Sequence, residues 1–369
     1  MEGQLVSWWD GTMRSYSPQP DNYKNLYRTG FNSILNTAVS YQSEKASWRF
    51  SYTRNDYKGI QVGGRLQRNT FNINSAFKIN NKLTTDVVVS YINSKVHNRP
   101  YQLSRVTAAY SGFFSRAEDI AIMFDKYKTS QGYKWVPWNQ QQRNPAEALK
   151  YEMKNETLDL LWNQLRNSED ENQDRLLSSI TLNYDISKDM HIRGRIGNDY
   201  TILNIEGKNH NEYPLAFNSV NSTGAYTVSD GRYSIVYGDV LFNYSKKINK
   251  DFDISVNGGY QARNEKYHDQ VSNTSGGLLK ENWFSLTNSF GPVITKINRS
   301  NILKYAFLGF FNAGYKNYLF LEGTARQEYS STLPPGNNSY FYPSVNTSFV
   351  FSDAFKMRSE EHTSELQSQ

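Results

Sequence analysis

The sequence contains no cysteine. Disulfide staples, thiolate nucleophiles and cysteine-based zinc sites are excluded with it. It also lacks any run of about 18 apolar residues, so no transmembrane helix is expected. Histidine is scarce, at five residues. His97, His191, His210, His268 and His362 are dispersed, and no two have the spacing of metal ligands, so no metal is expected. Glu169-Asp170-Glu171 with Asp174 lacks the spacing and the glycine of a calcium loop and reads as a solvated loop face. Gly63-Gly64 and Gly276-Gly277 sit outside any strand-to-helix phosphate cradle. There is no Gly-x-Ser-x-Gly elbow and no marked catalytic pair, so neither an enzyme nor a cofactor is expected. The 41 Lys and Arg against 35 Asp and Glu give a net charge of +6. They are scattered rather than striped, which argues against nucleic acid as a partner. The opening Met1-Glu2-Gly3-Gln4 lacks the basic start and apolar run of a signal peptide. Either the chain is cytoplasmic or Met1 is an internal methionine.

What the chain has in quantity is aromatic residues, 20 Phe, 27 Tyr and 7 Trp. Mean hydropathy is nevertheless −0.71. That combination suits strands that are apolar on one face only, and it does not suit a thick helical core. Ala46–Arg54 shows the pattern most plainly. Trp48, Phe50 and Tyr52 alternate with Arg49, Ser51 and Thr53, which puts three aromatics on one face. In a soluble sandwich that face would look at a core. In a transmembrane barrel it looks at lipid and the polar face at the lumen.

The same alternation recurs along the chain. Strands are predicted at about 31–41, 46–54, 65–79, 83–96, 176–186, 190–201, 233–248, 252–263, 302–315, 318–329 and 344–351. Tight turns at 42–45, 80–82, 187–189, 249–251 and 316–317 alternate with longer connections at 55–64, 97–174, 203–232, 264–301 and 330–342. Strict alternation of short and long connections over eleven strands is the habit of outer-membrane barrels. A propeller would instead repeat at a fixed period. The longest connection, 97–174, holds two stretches of helical period. Ala117–Lys126 aligns Ile120, Met123 and Phe124. Pro145–Tyr151 resembles a helix start with Asn144 as N-cap, and Thr157–Arg166 extends it.

With this pattern in view, the chain resembles the SusC-like TonB-dependent outer-membrane transporters, the SusC/RagA family. The residues that carry the likeness are Met1-Glu2-Gly3-Gln4 with Trp9-Asp10-Gly11, Tyr16-Ser17-Pro18-Gln19-Pro20-Asp21-Asn22 and Arg28-Thr29-Gly30. They continue in Glu44-Lys45 before Trp48-Arg49-Phe50-Ser51-Tyr52-Thr53, and in Arg68-Asn69-Thr70-Phe71. Further on stand Arg326-Gln327-Glu328-Tyr329-Ser330-Ser331, where Glu replaces the family's usual Asp, and Tyr342-Pro343-Ser344-Val345. The resemblance implies an all-β fold, a partial antiparallel transmembrane β-barrel. It would comprise about eleven strands of a larger TonB-dependent barrel, with long extracellular loops containing short helices. It covers about residues 1–357. Residues 358–369 resemble the translation of a sequencing adapter and are expected to be a non-native tail.

For the intact protein the resemblance implies import of a glycan or peptide substrate through the outer membrane. The expected partners are a SusD-like surface lipoprotein, outer-membrane lipid, and the TonB complex acting through a plug region missing from this chain. A passive porin or adhesion barrel, or a soluble all-β carbohydrate-binding protein, remain the alternatives. Trp135, Trp138 and Trp283 fall in long connections and are the candidate substrate-binding residues. Their rings either present flat faces to a ligand or pack within their own loops.

Overall fold

A computed structural model of the chain describes residues 4–6, 11–100, 119–136, 145–149, 156–213 and 224–355. The tail at 358–369 and Trp138 lie outside the described residues. A small ribbon pairs β1 (Gln4–Val6) with β2 (Met13–Ser15). It precedes one eleven-stranded antiparallel sheet. Its strands are β3 (Phe31–Gln42), β4 (Ala46–Lys58), β5 (Arg65–Lys78), β6 (Leu83–His97), β7 (Ser168–Ser187) and β8 (Met190–Asn209). They continue as β9 (Ala225–Lys247), β10 (Phe252–Leu278), β11 (Ser289–Tyr315), β12 (Leu319–Ser330) and β13 (Ser339–Phe349). Each strand pairs with its neighbours in sequence, and β3 and β13 form the two edges.

The alternation at Trp48 propagates across every pairing. One cross-strand row reads Tyr41, Trp48, Ser75, Val87, Ile180, Ile196, Gly238, Ala262, Tyr305, Tyr329. The row beside it reads Ser40, Arg49, Asn74, Val88, Ser179, Gly197, Tyr237, Arg263, Lys304, Ser330. Successive rows face opposite ways, so one face is apolar and the other mainly polar. Apolar residues also stand on the polar side, among them Ile34, Val88, Ile92, Leu177, Ile235, Leu241, Leu308 and Phe310.

The apolar face is the open one. Ile196 and Val240 are 59% and 54% exposed, whereas Asp239 on the opposite face is 5% exposed. Side chains crowd on a concave surface and spread on a convex one, so the polar face is the concave face. This is the reverse of a soluble sandwich, and it places apolar side chains where hydrocarbon would meet them.

Aromatic pairs border the apolar face. Near the short turns Tyr41 stacks on Trp48 at 5.9 Å and Phe252 lies 4.6 Å from Tyr315. Towards the long loops run Tyr52–Phe71 at 4.8 Å, Phe71–Tyr91 at 6.2 Å and Tyr305–Tyr329 at 4.8 Å. On β11 the two borders are marked by Tyr315 and Tyr305. Ten residues cover about 33 Å of strand, which a tilt of about 40° reduces to about 25 Å, the height of the apolar band of a membrane barrel. No helix among the described residues is long and apolar enough to cross a membrane.

The order and pairing match the sequence expectation, but the strands run further towards the long loops. β10 and β11 reach 27 residues each, and β7 begins at Ser168 rather than near Leu176. Ser168–Asp174 is polar on both faces, so it carries no alternation. It is strand because β6 and β8 supply partners on both sides, as where Glu171 lies between Val96 and Ile205. The last strand ends at Phe349, and Phe351–Ala354 is a helical turn instead of more strand.

The dry core of the protein lies in the connection between β6 and β7. There α2 (Ala121–Lys126) packs against α3 (Glu156–Leu165). Ile120, Met123, Leu149, Leu158, Leu161 and Trp162 are almost completely buried. Leu26, just after the helical turn α1 (Asn22–Asn25), joins this cluster. Asn22 Oδ1 accepts from the Ile120 backbone N–H at 3.0 Å, which stitches the early segment to the excursion. Pro145–Glu147 forms a 3-10 turn rather than the α-helical start expected there.

Ile180 and Thr181 are adjacent on β7 but face opposite ways. Ile180→Arg should destabilise the vesicle-inserted protein by about 2–4 kcal/mol, and Thr181→Arg by much less. Urea unfolding in lipid vesicles checks the difference.

Candidate ligand-binding recess

The concave face carries a recess of about 460 Å³ at its long-loop end. Its floor comes from two same-face rows. One row runs Tyr57, Leu66, Val96, Glu171, and the next runs Asn55, Arg68, Ser94, Gln173, Leu203. All but Asn55 line the recess, with Ile60, Gly64, Asn98 and Arg99 at its rim. Leu66, Val96 and Leu203 offer aliphatic contact. Among the described residues the Arg68 guanidinium has no partner, and the Asn55 carboxamide oxygen is buried without one.

The rim is held by local hydrogen bonding. Asn98 sits at φ 48°, a left-handed conformation that asparagine tolerates better than most residues. Its side-chain amide donates to the carbonyls of Gln164 and Asn167 at 3.0 and 3.1 Å, and its Oδ1 accepts from Glu169 N–H at 2.7 Å. One small residue thereby caps α3 and starts β7. Arg99 grips the buried Glu171 carboxylate through Nε and Nη2, with Nη2 to Oε2 at 2.6 Å. Opposite, Arg28 donates to the carbonyls of Gly59 and Gly64 at 2.8 and 2.6 Å and folds that loop over. Gly63 there has φ +85°, and a Cβ on it would lie 2.0 Å from the Gln164 carbonyl oxygen. That close approach demands glycine.

Several other charges of the concave face are paired. Arg195 and Arg193 donate to Asp239 at 2.8 and 3.1 Å, and Arg195 also reaches the Tyr237 hydroxyl at 2.6 Å. Arg175 pairs with Asp199, Arg263 with Glu265 and Arg326 with Glu328. These pairs brace the wall, while Arg68 remains receptive. The recess suits a ligand with apolar segments and an anionic group. The carboxylates at 169–174 split between the two faces. Asp170 meets His97 at 2.6 Å and Asp174 accepts from Tyr91 on the apolar side, while Glu171 points into the recess.

A second cluster ties the loops together. Lys134 bonds Asp159 of α3 and, at 3.3 Å, Glu212 of the β8–β9 connection. Burial is the largest influence on this ammonium and lowers its pKa. The carboxylates of Glu212 and Asp159 together outweigh it and hold it above its ordinary value. His210 is the opposite case. Burial first, then the nearby charges of Arg166 and Lys208, push its pKa down to about 4. Its Nδ1 is buried without a partner, and its ring packs edge-on to Phe284 at 4.9 Å.

The tryptophans do not meet in the recess. Trp135 is 7% exposed in the loop core, with the Lys126 ammonium 4.7 Å from its ring centre. Trp283 is 55% exposed in the β10–β11 connection, beside Lys280. Leu66, Arg68, Ser94 and Val96 lie in strands that the sequence predicts, whereas most other recess residues fall in its expected connections 55–64 and 97–174. Arg68 falls within the strand predicted at 65–79, and extending the parity of β4 past its predicted end puts Tyr57 on the same concave side.

Asn98→Ala removes three hydrogen bonds and leaves a strained backbone, at a cost of about 2 kcal/mol. Faster amide exchange in 156–169 should report it. A histidine kept neutral by folding favours the fold above its unfolded pKa, and that contribution is lost as pH falls towards about 4. Amide protection around 209–213 should therefore weaken between about pH 6.5 and 4, and His210→Gln should abolish the dependence.

No protein-family model matches the chain, and no curated protein matches it. Solved structures do. The RagAB peptide transporter aligns at TM-score 0.70 and 15% identity over 92% of this chain and 36% of its own. The RagAB peptide importer in its closed-closed state aligns at 0.71 and 15% over 97% and 38%. The outer membrane transporter YddB from Escherichia coli aligns at 0.54 and 8% over 94% and 40%. The chain thus spans less than half the length of the structures it matches. At such identities the likeness is one of fold, and the fold is that of part of the β-barrel of TonB-dependent outer-membrane receptors.

Proposed function

We propose that this chain forms part of the barrel of a TonB-dependent importer in the outer membrane of a Gram-negative cell. The carrying observation is the inverted sheet, apolar and aromatic-bordered outside, charged and recessed inside. Import of a peptide or glycan would draw on the TonB complex acting through a plug segment, with a SusD-like lipoprotein seated on the long loops. The recess favours the peptide. Its walls are aliphatic, its receptive group is the Arg68 guanidinium, and a carboxylate is the natural partner of a guanidinium. A glycan is better served by exposed aromatic platforms, and of the described candidates Trp135 is buried and Trp283 lies outside the recess.

The intact transporter carrying Arg68→Ala should bind short peptides with a free C-terminal carboxylate at least about tenfold more weakly, as expected when a charge-assisted hydrogen bond is lost. Calorimetry on purified protein measures it, with circular dichroism to confirm unchanged strand content. Unchanged peptide affinity, or tight binding of an uncharged oligosaccharide that ignores the substitution, would reject the peptide reading. Uptake that survives dissipation of the inner-membrane proton gradient would reject coupling to TonB.

A further inference from the structure

The apolar side of the sheet carries one charged cluster that transport leaves unused. Where β9, β10 and β11 rise past the upper aromatic border, Arg232, Lys266, His268 and Arg299 share the outer face. His268 lies opposite Arg232 on one side and Arg299 on the other, and Lys266 stands one outward position below it. With Tyr200 they surround a shallow hollow of about 570 Å³.

These cations, like Arg68, lack the carboxylate that most arginines of the concave face hold. Arg175, Arg193, Arg195, Arg263 and Arg326 of the concave face each hold a carboxylate. Among the described residues Arg232 and Lys266 have no side-chain partner, and Arg299 has only the His268 ring, to which its Nε donates at 3.2 Å. The acid on the same face of β9 is Asp230, two residues beyond Arg232 and opposite Gln270, and it forms no ion pair with the cluster. Three permanent cations on neighbouring positions repel one another, and like charges facing across strands destabilise a sheet. An external anion relieves this.

Position says where that anion comes from. Lys266 is six residues past Tyr260, and Arg232 and Arg299 are level with His268, eight past it, which puts the cations about 15–20 Å above Tyr260 at the usual tilt. Long basic side chains there reach back towards the lipid interface. The hollow is continuous with the lipid-facing surface and on the far side of the wall from the recess.

We propose that Arg232, Lys266 and Arg299, with His268, bind the phosphate of a lipid headgroup in the leaflet surrounding the barrel on its long-loop side. Guanidinium groups match phosphate oxygens in paired hydrogen bonds, and an ammonium adds a point charge. The proposal rests on the membrane reading above.

The test uses the transporter reconstituted in phosphatidylcholine vesicles doped with diphosphoryl lipid A, extracted gently, with retained lipid counted by native mass spectrometry. The wild type should retain lipid A. The triple variant Arg232→Gln, Lys266→Gln, Arg299→Gln should retain at least about tenfold less. Lys246→Gln with Lys247→Gln, at the short-turn end, should match the wild type. Dephosphorylated lipid A should not be retained, and inorganic phosphate should not displace the lipid. If the triple variant does not insert, Arg232→Gln alone is read, and its retention should fall in the same direction. Equal retention by the cluster variants, equal retention of the dephosphorylated lipid, or a site saturated by inorganic phosphate alone overturns the proposal. Failure of the wild type to insert in any vesicle overturns the membrane reading itself. Insertion with indifference to lipid A overturns this proposal alone.

Discussion

Hydrocarbon offers no hydrogen-bond partner, so a backbone that faces it must satisfy every N–H and C=O from within. Between its two edge strands the ladder does this by continuous antiparallel pairing, with register shifts at only a few positions near strand ends. Everything else follows from keeping that ladder intact. The turns at one end are short because neighbouring strands must pair from their first residues. Charged side chains on the concave face largely pair among themselves, as Arg193, Arg195 and Asp239 do.

The chain consequently uses two packing regimes. Across the sheet, stability comes from the ladder and from cross-strand contacts, and apolar side chains remain spread on the outside. In the excursion between β6 and β7 it comes from ordinary burial, with Leu158, Leu161 and Trp162 sealed inside. Asn98, Arg28 and Lys134 join the two regimes through hydrogen bonds and ion pairs at the boundary. They position a helix-bearing loop over a strand-built floor.

How much of this was legible in the sequence depends on what the residues faced. Trp48, Phe50 and Tyr52 announce their strand because an apolar face on one side and a polar face on the other impose alternation. The order and pairing of all eleven strands followed from that signal and from the alternation of turn lengths. Above the apolar band both faces meet water, the constraint lapses, and Ser168–Asp174 looks like loop. Most of the recess is built from such stretches, so Tyr57, Glu171 and Gln173 were invisible as wall residues. An aromatic in a connection is ambiguous for a related reason. Nothing local distinguishes Trp135, which is enclosed, from Trp283, which is open.

The strands are also unequal in length. β7 to β11 run 20 to 27 residues, while β3 to β5, β12 and β13 run 11 to 14. β11 therefore continues for fifteen residues, Ser289 to Leu303, past the last pairing of Lys304 with Ser330. The mouth is cut obliquely, like a quill. Approach is easy over the short staves on either flank and blocked by the tall ones between them. In the importer proposed here, a solute would meet this rim sideways, over a low sill and against a backstop.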